Sequence, residues 1–84
     1  MSRRKKLLSR IQDNPQNVRF EDICKLAEAF GFKYKGGKGS HEVYTKKGVI
    51  EILNLQNVKG FAKPYQVKQF LKMIEDYNLK LEEE

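Results

Sequence analysis

One cysteine, one histidine and no tryptophan occur among the 84 residues. A lone thiol, Cys24, cannot close an intramolecular disulfide. With His41 it makes too small a donor set for a structural zinc site, so neither a metal nor another cofactor is expected. Cys24 falls in an apolar helical pattern and reads as a small buried hydrophobe rather than a reactive thiol. No apolar run approaches the roughly 20 residues of a membrane-crossing helix. Near the amino terminus, only Leu7 and Leu8 separate the basic Ser2-Arg3-Arg4-Lys5-Lys6 from Ser9-Arg10, too little for the apolar centre of a secretory signal. These shortages point to a cytoplasmic setting without membrane contact.

Acidic residues are scarce too, 11 against 17 Lys and Arg for a formal charge of +6. Three of the acids, Glu82, Glu83 and Glu84, are the last residues, so residues 1–81 hold only 8. Such a field attracts polyanions and speeds encounter with them. Nucleic acid is the leading partner class, an anionic membrane or acidic protein follows, and solubility alone is the remaining explanation. The length suits one small domain with one modest core, which 39% hydrophobic residues and nine aromatics can fill.

The clearest periodicity is Phe20, Ile23, Cys24, Ala27 and Phe30, a core-facing helical stripe over residues 20–30. Glu21 and Asp22 lie in its first turn, where the helix dipole favours them, and Gly31 is placed to close it. A second stripe, Val67, Phe70, Leu71, Ile74 and Tyr77, begins behind Pro64 and predicts a helix over 64–77, with Asn78 ending it and a frayed acidic terminus. Between the two, Phe32-Lys33-Tyr34-Lys35 alternates as a strand, and Gly36-Gly37-Lys38-Gly39 must turn. Residues 40–45 and 49–53 then read as two further strands about a turn at Lys46-Lys47-Gly48. Residues 54–62 read as a loop with a turn at Lys59-Gly60. Residues 3–13 form a short basic helix that Asn14-Pro15 terminates.

The expected fold is therefore α+β: an αβββα domain whose three-stranded antiparallel sheet carries two helices on one face, preceded by a short N-terminal helix. Its parts are a basic helical extension over 1–17, the domain over 18–79 and an acidic tail over 80–84. Double-stranded-RNA-binding domains share this arrangement. In the middle strand, Val43 is expected to face the helices and to bring His41 to that side, although the alternation also permits Glu42 and Tyr44 there.

Gly31-Phe32, the basic strand after it and Lys38-Gly39-Ser40-His41 together resemble the signature of HicA-type toxins, the messenger-RNA-cleaving partners of HicB antitoxins. The resemblance spans roughly residues 19–79 in the same order of elements. It implies a double-stranded-RNA-binding-like fold, a type II toxin–antitoxin role, an RNA substrate, a HicB-like antitoxin and His41 as the catalytic residue. Many members carry Val-Pro-x-His where this chain has Ile52-Leu53-Asn54-Leu55-Gln56, so a single imidazole is left for the chemistry.

Metal-independent RNA cleavage needs a base for the 2′-hydroxyl proton and cations for the charge on the phosphorane. An imidazole, titrating at about 6.5, suits the first task. A positioned acid or base contributes on the order of 10²–10⁴-fold. Lys35 and Lys38 can supply charge, the Gly39 backbone can approach a phosphate closely, and Ser40 can donate to a phosphate oxygen or orient the ring. Lys63 and Lys68 are further candidate phosphate contacts, and Tyr44 is a candidate acid. The competing explanation of His41 is an ordinary strand-end residue, and that of Tyr34 and Tyr44 is packing rather than base stacking. The expected function is an RNA endonuclease toxin; the alternative is a non-catalytic RNA-binding module of the same fold.

Overall fold

The computed structural model describes residues 2–82. In chain order its elements are α1 (Arg3–Asp13), α2 (Phe20–Ala29), β1 (Lys33–Gly36), β2 (His41–Lys46), β3 (Val49–Val58), β4 (Phe61–Ala62) and α3 (Pro64–Asp76). The strands form one antiparallel meander in the order β1-β2-β3-β4.

Both core helices form where their apolar stripes lie, and both end in the same device. After α2, Gly31 takes φ +89°; its N–H donates to the Glu28 carbonyl at 2.9 Å, and the Phe32 N–H donates to the Ala27 carbonyl at 3.0 Å. After α3, Asn78 takes φ +51°; the Asn78 and Leu79 N–H groups donate to the Glu75 and Ile74 carbonyls. These are Schellman closures, which satisfy carbonyls that a helix end otherwise leaves without donors. The first closure directs Phe32 inward, where its ring meets Phe70 edge-on at 5.5 Å, and Phe30 meets the same ring at 6.0 Å.

The core joins Ile23, Leu26 and Ala27 of α2 and its C-cap Phe30 to Val67, Phe70 and Met73 of α3, over Tyr44, Leu53 and Leu55 of the sheet. Both helices therefore cover one sheet face. Leu26 and Ala29 are buried as well, outside the expected stripe; Leu26 joins the core, and α1 lies beside α2, with Leu7 and Ala29 lining one depression. Ile11 of α1 is 3% exposed, so the basic N-terminal helix is packed onto the domain.

Three expectations are corrected. The sheet has four strands, not three: β3 runs on to Val58, and residues expected to loop form a hairpin. Lys59 and Gly60 both take positive φ (54° and 90°), the conformation of a two-residue turn whose twist matches its strands. The facing of β2 is also the reverse of that expected. Tyr44 is 3% exposed and pairs with the buried Leu53, so Glu42 and Tyr44 face the helices while His41 and Val43 occupy the open face. Burying a tyrosine in place of the smaller valine becomes affordable because Glu42 Oε1 accepts from the Tyr44 hydroxyl at 2.9 Å. Finally, the chain does not fray directly behind α3. Leu79 and Leu81 pack against the core, and the Glu82 N–H donates to the Ala29 carbonyl at 2.9 Å. Glu83 and Glu84, also placed in that tail, lie outside the described residues.

Candidate functional site

His41 opens β2, and the preceding loop is folded tightly against it. Its backbone N–H donates to the Lys38 carbonyl at 3.0 Å. A Cβ on Gly37 would overlap the His41 carbonyl oxygen, so this close approach requires glycine at position 37. On the other side of the strand, the Asn57 N–H donates to the Ser40 carbonyl at 2.9 Å, extending the β2–β3 ladder beyond His41. The strand end that carries the imidazole is thus fixed from both neighbours.

The side chain is half-buried on the open sheet face, and its Nδ1 lies 3.3 Å from Asn54 Oδ1 on β3. Asn54 pairs with Val43, so it is the diagonal cross-strand neighbour of His41. An amide oxygen only accepts, so this bond requires the proton on Nδ1 and leaves the Nε2 lone pair for a base. Asn54 belongs to the stretch that departs from the HicA pattern, and sequence reading assigned it no role. The period-2 run Leu53-Asn54-Leu55-Gln56 is the signal that could have placed it beside His41.

The remaining candidates divide into two groups. Lys38, Gly39 and Ser40 form the exposed loop directly before the imidazole, and Lys63 stands at the N-cap position of α3, after β4 at the same end of the sheet. Lys35 sits at the bulge between Tyr34 and Gly36 and lines a depression with Lys33, Thr45, Lys46 and Lys47, towards the far end of β2. Lys68 lines a groove between α3 and Glu51. His41 lines neither of these two concavities. The cationic first turn of α1 is also remote: Arg3 and Arg4 lie by Ala29, at the opposite end of the sheet from His41.

On the helix side of β2, Cys24 Sγ donates to Glu42 Oε1 at 3.7 Å, the same oxygen that Tyr44 uses. Burial first, with the nearby Glu42 carboxylate adding to it, pushes the Cys24 thiol up to about 11. Burial likewise raises the Tyr44 hydroxyl well above its ordinary value. Tyr44 is therefore a buried donor on the face opposite His41, and the acid role considered for it has no geometric support. Among the described residues, no three His, Cys, Asp or Glu side chains converge as a metal would require, and no helix is long and apolar enough to cross a membrane.

No protein-family model matches the chain, and no curated protein or solved structure is significantly similar to it.

Proposed function

We propose that the chain is a metal-independent RNA endonuclease of the HicA type, built on a double-stranded-RNA-binding-like fold and acting as the toxin of a toxin–antitoxin pair. The observation that carries this reading is His41 itself: an accessible imidazole held through Nδ1 by Asn54, its Nε2 free, beside the cationic Lys38-Gly39-Ser40 loop. In the proposed reaction Nε2 takes the proton of a ribose 2′-hydroxyl as its oxygen attacks the adjacent phosphorus. The bond to the 5′-oxygen breaks, giving a 2′,3′-cyclic phosphate and a 5′-hydroxyl. Lys38 offsets charge on the phosphorane. The proton for the leaving oxygen comes from water or from the imidazolium itself, as no second imidazole exists in the chain. Turnover is correspondingly modest.

The antitoxin reading is supported by the same face. Ile50 is 92% exposed and Ile52 62%, and with Val43 they form an aliphatic strip that shares the open sheet face with His41, Val43 nearest to it and Ile50 towards the far end. A HicB-like partner presenting apolar and acidic groups would cover both strip and imidazole. Expressing the protein and its His41→Ala variant side by side tests the proposal. Growth arrest with transcript decay is expected from the parent only; equal behaviour of the two would end it.

One observation favours a second reading, a non-catalytic RNA-binding module. Tyr44, the tyrosine considered as acid, is directed to the face opposite His41. That reading predicts salt-sensitive binding with RNA intact after long incubation.

A further inference from the structure

At the His41 end of the sheet, away from the imidazole, lies an aromatic groove of which the roles above use only Lys63. Backbone pairings lead to it: Ser40 to Asn57, Asn57 to Ala62, and the Ala62 N–H to the Val18 carbonyl at 2.8 Å. That is three strand spacings, about 14 Å. Phe61, 41% exposed, lines two adjoining depressions of about 350 and 300 Å³, and Asn17 lines both as well. The Arg19 guanidinium lies 5.6 Å from the Phe61 ring centroid. Gln16 and Lys63 stand along the second depression, while Arg10 in the first is paired with Asp22 at 3.3 Å.

We propose that this groove is a nucleobase subsite for single-stranded RNA, with Phe61 as the stacking platform. The identification of RNA as the ligand rests on the reading given under Proposed function. The chemistry on the page favours it over a protein partner. A half-exposed ring beneath a guanidinium offers stacking and cation–π attraction to any base. The side-chain amides of Asn17 and Gln16 each present donor and acceptor together, as a base edge does. Arg19 and Lys63 supply charge for the flanking phosphates. By contrast, the strip of Ile50, Ile52 and Val43 is aliphatic and offers no stacking surface. The groove would hold a base a few nucleotides from the bond presented to His41 and set the register of the strand.

The test uses the full chain carrying His41→Ala, which removes the proposed cleavage, and a labelled single-stranded RNA hexamer. In this background, Phe61→Leu is expected to weaken binding by roughly 5- to 100-fold, and Phe61→Trp to restore it. Arg19→Gln and Lys63→Gln are each expected to reduce the salt dependence by about one ion. Independently of whether these variants fold, RNA is expected to move the side-chain amide resonances of Asn17 and Gln16 in the protein that retains Phe61. Unchanged affinity in a folded Phe61→Leu variant, or amide resonances indifferent to RNA, overturns the subsite. So does protection of the groove by an acidic protein and not by RNA. The two proposals fail separately. Cleavage that proceeds with an unaltered KM in Phe61→Leu removes the subsite alone, whereas RNA held at Phe61 but never cut removes the nuclease reading alone.

Discussion

Replacing Tyr44 by Phe separates two roles that a tyrosine beside a candidate catalytic histidine could have. The change removes one hydroxyl and keeps the ring, so the edge contact with Tyr34 at 5.7 Å and the burial over Leu53 persist. What is lost is the 2.9 Å bond to Glu42 Oε1. A hydrogen bond to a carboxylate contributes about 1.5–3 kcal/mol. The Cys24 thiol, at 3.7 Å a weak donor, remains on the same oxygen and offsets little of the loss. The expected destabilisation is therefore about 2 kcal/mol at neutral pH. In a domain of 84 residues that lowers the melting temperature by about 8–16 °C. Thermal and urea denaturation would measure it, and a cycle with Glu42→Gln should return a coupling of about 1 kcal/mol or more. RNA cleavage per folded molecule should be unchanged, because the hydroxyl lies on the face opposite His41. A variant as stable as the parent but inactive would refute this reasoning and restore Tyr44 as an acid.

The Cys24 thiol, held at about 11 against 9.0 in the unfolded chain, should be alkylated at pH 8 roughly 100-fold more slowly in native protein than in urea, as mass spectrometry would show. Because the fold favours the protonated thiol, stability should be full below pH 9 and fall as pH rises from there to about 11, by up to about 2–3 kcal/mol, measured by denaturant titration. Gly31→Ala should cost about 1 kcal/mol or more, since φ is +89° and the new methyl would displace the Glu82 and Lys46 side chains lying over it; a melting temperature unchanged by the substitution would contradict that. Phe70→Ala, which removes the ring that both Phe30 and Phe32 meet edge-on, should cost about 3–5 kcal/mol and leave much of the chain unfolded by circular dichroism.

What the sequence revealed follows from where local patterns and tertiary demands agree. The helices over 20–30 and 64–77 were legible because stripe, Gly31 and Asn78 all pointed the same way. A turn at Lys59-Gly60 was legible from its residue types, but the β3–β4 hairpin that it closes was not. The facing of β2 was not legible, because Val43 outranks Tyr44 on apolarity alone. The decisive partner, Glu42 Oε1, belongs to a residue two positions away whose side chain would ordinarily be assigned to water. β3 was cut short at Leu53 because Asn54, Gln56 and Asn57 are poor strand formers; pairing with β2 and β4 overrides that preference. The packing of α1 and of Leu81 depends on long-range contacts between the two ends of the chain, such as Arg4 Nη1 to the Glu82 carbonyl at 2.8 Å, which no local period reports. At the candidate site, Gly39-Ser40-His41 stood out in the sequence, whereas Asn54 came to it only through strand register.

The most direct test of the central claim is cleavage of a 5′-labelled RNA by purified protein in the presence of a chelator, comparing the parent with a His41→Ala variant of matched thermal stability. The account predicts fragments ending in 2′,3′-cyclic phosphate from the parent, and a rate at least about 100-fold lower from the variant. Equal rates from the two proteins, or RNA left intact by both, would contradict it.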